Sequence, residues 1–173
     1  MPGLFLLLAL SLTSQTSQPK QQLSIQYDYT IIVSFSEACL RLYDWKFDEV
    51  ASYPVALPRY KVKLPISGEV TQVILNPYWY PPKSIKDYYK KYKKIDLPDV
   101  AGPGSPFNFM GDAKVIMRFE GRGITSLSRI HGTKDEKSIG KRASFGCIRL
   151  LNDDVKKLAA LIEDKKVRVL YSD

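Results

Sequence analysis

One histidine and two cysteines in 173 residues leave little material for metal chemistry. A structural zinc site takes four ligands at close sequence spacings such as Cys-x2-4-Cys; one His, His131, and two distant Cys, Cys39 and Cys147, give metal binding poor support. There is no Gly-x-Ser-x-Gly elbow, phosphate loop or dinucleotide fingerprint, which removes the serine-nucleophile and nucleotide-binding readings that those motifs carry. No apolar run approaches the roughly 20 residues of a membrane-spanning helix. Acidic residues are in deficit, 18 against 26 Lys and Arg, so the net charge is +8. The first eighteen residues carry no charged side chain, so the excess lies in the rest of the chain. Such a balance fits anionic surroundings, namely nucleic acid, a membrane face or a cell-envelope polymer, or else solubility alone.

What is present describes a folded protein. With 45% apolar and 25% charged residues the chain can bury a core and has length for one domain. Leu4 to Leu10 is continuously apolar, extended by Ser11 and Leu12 and followed by the polar stretch Thr13 to Gln18. That is the outline of a secretory signal, although Met1-Pro2-Gly3 lacks the usual positive charge. Residues 1–18 are therefore expected to be a signal peptide and 19–173 a single exported domain. Export disfavours nucleic acid as the partner, and no recognition module is visible. Cys39, in the alternating stretch Ala38 to Tyr43, is expected to be buried and inert rather than disulfide-bonded.

The body reads as short strands: Tyr29–Phe35, Cys39–Tyr43, Val50–Val55, Val70–Leu75, Lys114–Phe119 and Val167–Tyr171. Ser36-Glu37 between the first two predicts a hairpin. Ile85, Tyr88, Tyr89 and Tyr92 recur at helical spacing after Pro81-Pro82, with lysines interleaved. Their tyrosine stripe is expected to enter the core and their lysines to face solvent. A second helix is expected from about Asp153 to Asp164, with Asn152 as N-cap and Val155, Leu158, Ala159 and Ile162 as its apolar stripe. The fold class is mainly β, one domain with one or two packed α-helices.

The chemistry is expected between Ile130-His131-Gly132-Thr133 and Ser144-Phe145-Gly146-Cys147-Ile148-Arg149. A cysteine in a glycine-bearing turn and one imidazole are the parts of an activated thiol nucleophile. The stretch before His131 suggests a strand end, with Gly132 turning the chain sharply behind it. The amides of Gly146 and Cys147 are candidates to hold a developing oxyanion. Arg149 is a candidate to grip a carboxylate.

The run from Ile130 to Leu150, "IHGTKDEKSIGKRASFGCIRL", resembles the signature of the L,D-transpeptidases, the YkuD or ErfK/YbiS/YcfS/YnhG family. "ILNPYWYPPKSI" at Ile74–Ile85 looks like the family's Asn-Pro-x-Trp-x-Pro-Pro-x-Ser-Ile segment, and "AGPGSPFNFMGDAKVIMRF" at Ala101–Phe119 like a variant of its Pro-Gly-Pro-x-Asn-Pro-Leu-Gly stretch. "YPVALPR" at Tyr53–Arg59 fits an early strand, so the resemblance covers roughly residues 29 to 171. It implies a β-sandwich or barrel-like catalytic fold, a bacterial periplasm or cell envelope, and peptidoglycan stem peptides as substrate. Cys147 matches the nucleophile and His131 the general base, with the Gly132 carbonyl orienting its ring. Ser144, Gly146 and Arg149 match supporting positions. The acceptor would be a stem-peptide amine or an envelope-protein lysine, carbapenems would acylate the thiol, and neither metal nor organic cofactor is implied.

Two departures stand out. The family's Ser-His-Gly-Cys is Ser144-Phe145-Gly146-Cys147 here, and Ser105 and Phe107 replace an Asn and a Leu of the upstream stretch. Loss of the second His leaves two alternatives beside the transpeptidase: a peptidoglycan-binding protein without turnover, and an L,D-carboxypeptidase or other hydrolase on the same scaffold.

Overall fold

The computed structural model describes residues 26–121 and 128–173. Among the described residues, ten strands and two α-helices follow one another. Strands β1 (Tyr29–Ser34), β2 (Cys39–Asp44), β3 (Glu49–Pro54), β5 (Ile66–Leu75), β6 (Ala113–Phe119), β7 (Arg129–Thr133), β9 (Ile148–Leu151) and β10 (Val167–Ser172) form one sheet. Its order is β3-β2-β1-β10-β5-β6-β7-β9. The expected β1–β2 hairpin is present, with Ser34 opposite Cys39. A short second sheet pairs β4 (Leu57–Pro58) with β8 (Arg142–Ser144). Residues 1–18, the expected signal, lie outside the described residues.

β3 and β9 are the two edges of the large sheet, and the chain itself joins them. Two residues beyond β3, Ala56 exchanges both backbone hydrogen bonds with Arg149 of β9, at 2.8 and 3.0 Å. An open edge carries unpaired N–H and C=O groups, and closing the sheet pairs them. The bridge makes the sheet barrel-like. Tyr53, Val55, Ala56 and Leu57 are all buried along this crossing.

The closed sheet wraps around helix α2 (Asn152–Ile162). Val155, Leu158, Ala159 and Ile162, the apolar stripe expected from the sequence, are buried in one cluster with Ile31, Val33, Leu40, Leu42, Val115, Ile130, Ile148 and Leu150. Asp153 and Asp154 occupy the first turn, where the helix dipole favours negative charge. Asn152 is not the N-cap. The cap position is Leu151, and the Asn152 Oδ1 instead accepts from the Asp112 amide at 3.2 Å.

That interaction explains Gly132. The residue lies inside β7 and makes no sharp turn, contrary to expectation. A methyl group there would meet Asn152 Oδ1 at 2.3 Å and Val155 Cγ1 at 3.0 Å. Its bare backbone lets the helix seat on the sheet directly behind His131.

The other helix departs further from expectation. α1 (Lys83–Tyr88) runs into a π-helical turn, Tyr89–Lys93, and neither buries a residue fully. Its stripe does not reach the main core. Ile85 and Tyr89 pack with Phe109 on a small separate cluster of Trp79, Leu97, Ala101 and Met110. Tyr92 is 62% exposed. Asn108 organises this lobe, donating to the Pro77 and Gly102 carbonyls and accepting from the Met110 amide.

Gly132→Ala is expected to lower unfolding stability by about 1–3 kcal/mol through overpacking against Asn152 and Val155. Chemical denaturation of the variant measures this, and wild-type stability would show that the helix can give way.

Candidate active site

β7 and β9 run parallel, pairing Ile130 with Ile148 and His131 with Arg149. Side chains alternate across a strand. Ile130 and Ile148 point into the core, so His131 and Arg149 share the opposite face. Cys147 immediately precedes β9, and the same alternation puts it beside Arg149 on that face. His131 and Cys147 are thus diagonal neighbours on adjacent strands. His131 sits mid-strand rather than at a strand end, and is 2% exposed.

The imidazole is fixed by its own strand. Nδ1 lies 2.7 Å from the Gly132 carbonyl oxygen. A carbonyl only accepts, so Nδ1 carries the hydrogen and the Nε2 lone pair is left for another partner. Burial first, then the Arg149 charge, depress the His131 pKa to about 3, against a smaller upward pull from the Gly132 hydrogen bond. The ring is therefore neutral at ordinary pH and able to take a proton.

The thiol sits in a turn tied by Ser144. The fully buried Ser144 hydroxyl donates to the Cys147 carbonyl at 2.5 Å and accepts from the Gly146 amide at 3.1 Å. Gly146 has φ of +138°, which a side chain would oppose. Because its N–H is engaged by Ser144, Gly146 does not offer the oxyanion donor expected from the sequence; the Cys147 amide remains as candidate. Burial raises the Cys147 pKa, while the charges of Arg129, Arg149 and Lys114 pull it down. Burial thus favours the uncharged form of each group, the thiol of Cys147 and the neutral imidazole of His131.

Two of these cations escaped the sequence reading. Lys114 faces His131 across β6–β7, and Arg129 precedes His131 by two residues, so both fall on its face. Strand register was the missing signal, since neither belongs to a motif. Arg149 is half-buried, and its Nε is the buried side-chain nitrogen without a hydrogen-bond partner among the described residues. That Nε–H is a charged donor left open on the face shared with His131 and Cys147. Tyr89 also borders the site, within electrostatic reach of Arg149 and Arg59. Both cysteines are free. Cys39 is half-buried rather than fully buried, with its sulfur 3.2 Å from the Ser52 hydroxyl. Among the described residues no group of three or more His, Cys, Asp or Glu is placed to hold a metal ion.

A closed sheet around one helix, with a buried His and a turn-held Cys on its outer face, defines a class of thiol-bearing β-barrel. The model of the YkuD family, the L,D-transpeptidase catalytic domain, matches residues 28–169, and the chain belongs to that family. It is 32% identical over 131 residues to "Probable L,D-transpeptidase YcfS" of Escherichia coli K12, covering 74% of this chain and 39% of that one. It is 31% identical over 138 residues to the YkuD protein of Bacillus licheniformis, covering 78% and 60%. The chain thus spans less than two thirds of the length of these relatives. L,D-transpeptidase 3 from Mycobacterium tuberculosis has the same fold, with a TM-score of 0.56 at 14% identity over 85% of this chain and 62% of that one. The same mycobacterial protein is also known with a faropenem-derived adduct, matching with a TM-score of 0.55 at 14% identity over 85% of this chain and 61% of that one.

The two shifted groups predict pH behaviour. The His131 pKa is lowered by folding, so the unfolded chain binds its proton more readily between about pH 6.5 and 3. Stability is expected to fall as pH drops through that window, and His131→Gln to flatten this limb. The raised Cys147 pKa acts oppositely, with stability lost as pH rises past the ordinary thiol value near 8.5. Denaturation midpoints measured from pH 3 to 10 check both signs.

Proposed function

We propose that the chain is an exported enzyme of the bacterial cell envelope that transfers peptidoglycan stem peptides through a Cys147 thioester. The observation that carries this reading is the His131 ring. It is held by the Gly132 carbonyl with Nε2 free, on the same sheet face as Cys147. Cys147 is the nucleophile and His131 the general base.

The sulfur attacks the carbonyl on the L-centre of the stem's third residue, and Nε2 takes the thiol proton as the S–C bond forms. Because both groups rest neutral, charge separates only during attack. The developing oxyanion is met by the Cys147 amide and by the positive field of Lys114, Arg129 and Arg149. The C–N bond to the terminal D-Ala then breaks, and His131 returns the proton to the departing amine. An acceptor amine next attacks the thioester, losing its proton to His131, which restores the thiol. Ser144 and Gly146 hold the turn, and Arg149 binds a substrate carboxylate. A stem peptide, an envelope-protein lysine or, in a hydrolase, water can serve as acceptor. The faropenem-derived adduct of the mycobacterial protein supports β-lactams, the carbapenems among them, as ligands of this site. Nothing in the scheme calls for a metal or organic cofactor.

Incubation with imipenem is expected to add the drug's mass to the protein at Cys147, and Cys147→Ala to abolish the adduct. His131→Ala should slow acylation at pH 7 by about 100-fold or more. Mass spectrometry of a tetrapeptide muropeptide incubation then identifies the acceptor, through cross-linked dimer or tripeptide. No adduct and no product from the wild type would overturn the reading.

A further inference from the structure

Arg59 has no role in the scheme above, yet it touches both shoulders of the thiol turn. Its Nε and Nη2 both donate to the Ala143 carbonyl, at 3.1 and 3.0 Å. The centre of its guanidinium lies 4.2 Å from the Phe145 ring centroid, a cation–π stack. Its amide donates to the Ser144 carbonyl at 3.1 Å. Phe145 also meets Tyr88 in a T-shaped contact, with ring centroids 5.1 Å apart. Ala143 and Phe145 bracket Ser144, and the Ser144 hydroxyl closes the turn onto Gly146 and Cys147. A shift at either shoulder is therefore passed to the sulfur through two short hydrogen bonds.

The placement of Arg59 follows from the crossing chain. Ala56 bonds to Arg149, Leu57 pairs with Arg142 and Pro58 with Ser144, so residue 59 emerges beside the turn. Only a planar fork can donate twice to one carbonyl and lie flat on an aromatic face; a lysine ammonium does one or the other. Phe145 is the residue that departs from the family pattern, and its face is where the guanidinium rests.

We propose that Arg59 is the positioning residue of the thiol turn, clamping the Ala143 carbonyl and the Phe145 face together. In this chain the aromatic ring at 145 is then the seat of a clamp rather than a lost polar contact. The inference rests on the reading of Cys147 as the nucleophile.

The test compares Arg59→Met, Arg59→Lys, Phe145→Leu and the Arg59→Met/Phe145→Leu double variant. Two rates are read: acylation by imipenem, and iodoacetamide alkylation of Cys147 relative to Cys39, separated by peptide mapping. Each single variant is expected to slow acylation about tenfold, since small misplacements of reacting groups are costly. The double variant should be no more than about twofold slower than the slower single, because either change opens the same clamp. Lysine is expected not to restore the rate. Wild-type acylation by Arg59→Met, multiplying effects in the double variant, or rescue by lysine would each overturn the clamp. Phe145→Leu and Arg59→Lys decide the matter alone if Arg59→Met does not fold. If wild type forms no imipenem adduct, the transpeptidase reading fails. The Cys147-to-Cys39 alkylation ratio then decides the clamp: a change of threefold or more supports it, and an unchanged ratio overturns it.

Discussion

The two backbone hydrogen bonds between Ala56 and Arg149 are the constraint on which the site depends. They join the first and last strands of the sheet, and they do so at the strand that begins one residue after Cys147. Without them β9 would be an open edge, free to slip in register or to pair elsewhere. With them, the same crossing segment sets β4 against β8, holds Ser144 and delivers Arg59 beside Phe145. Closure of the barrel and placement of the thiol are one structural event.

The electrostatics of the site follow from that closure. A neutral imidazole and a protonated thiol sit among Lys114, Arg129 and Arg149, so positive charge is provided before any negative charge exists. Preorganised charge of this kind costs no rearrangement when an oxyanion or thiolate forms. Burial lowers the pKa of both Lys114 and Arg149, showing that neither charge is comfortably solvated at rest.

Much of this was legible in the sequence where periodicity or a local motif carried the information. β1, β2, β6, β10 and the apolar stripe of α2 were found because side-chain alternation and helical spacing report directly on the core. The Gly132 carbonyl contact, implied by the family resemblance, is present at 2.7 Å. What failed depended on contacts distant in sequence. Asn152 looks like an N-cap until Asp112 claims its side chain, 40 residues away. The tyrosine stripe was rightly spaced, but its partner is the Trp79–Met110 lobe and not the main core. Arg59 lies 84 residues from Ala143, and only the barrel's closure brings them together.

The close contact of Gly132 and Gly111 with Asn152 also limits how this chain can change. A methyl group at either glycine would lie within 2.3 Å of the same Asn152 oxygen. Gly132 can therefore gain a side chain only if position 152 changes as well, and trimming Asn152 first strands the Asp112 amide; at Gly111 the Gly132 backbone 2.7 Å away and a φ of +67° oppose a side chain whatever stands at 152. Positions 132 and 152 form an epistatic lock, in which each single step passes through a less stable protein. Variation near His131 is thereby channelled to residues facing away from the helix.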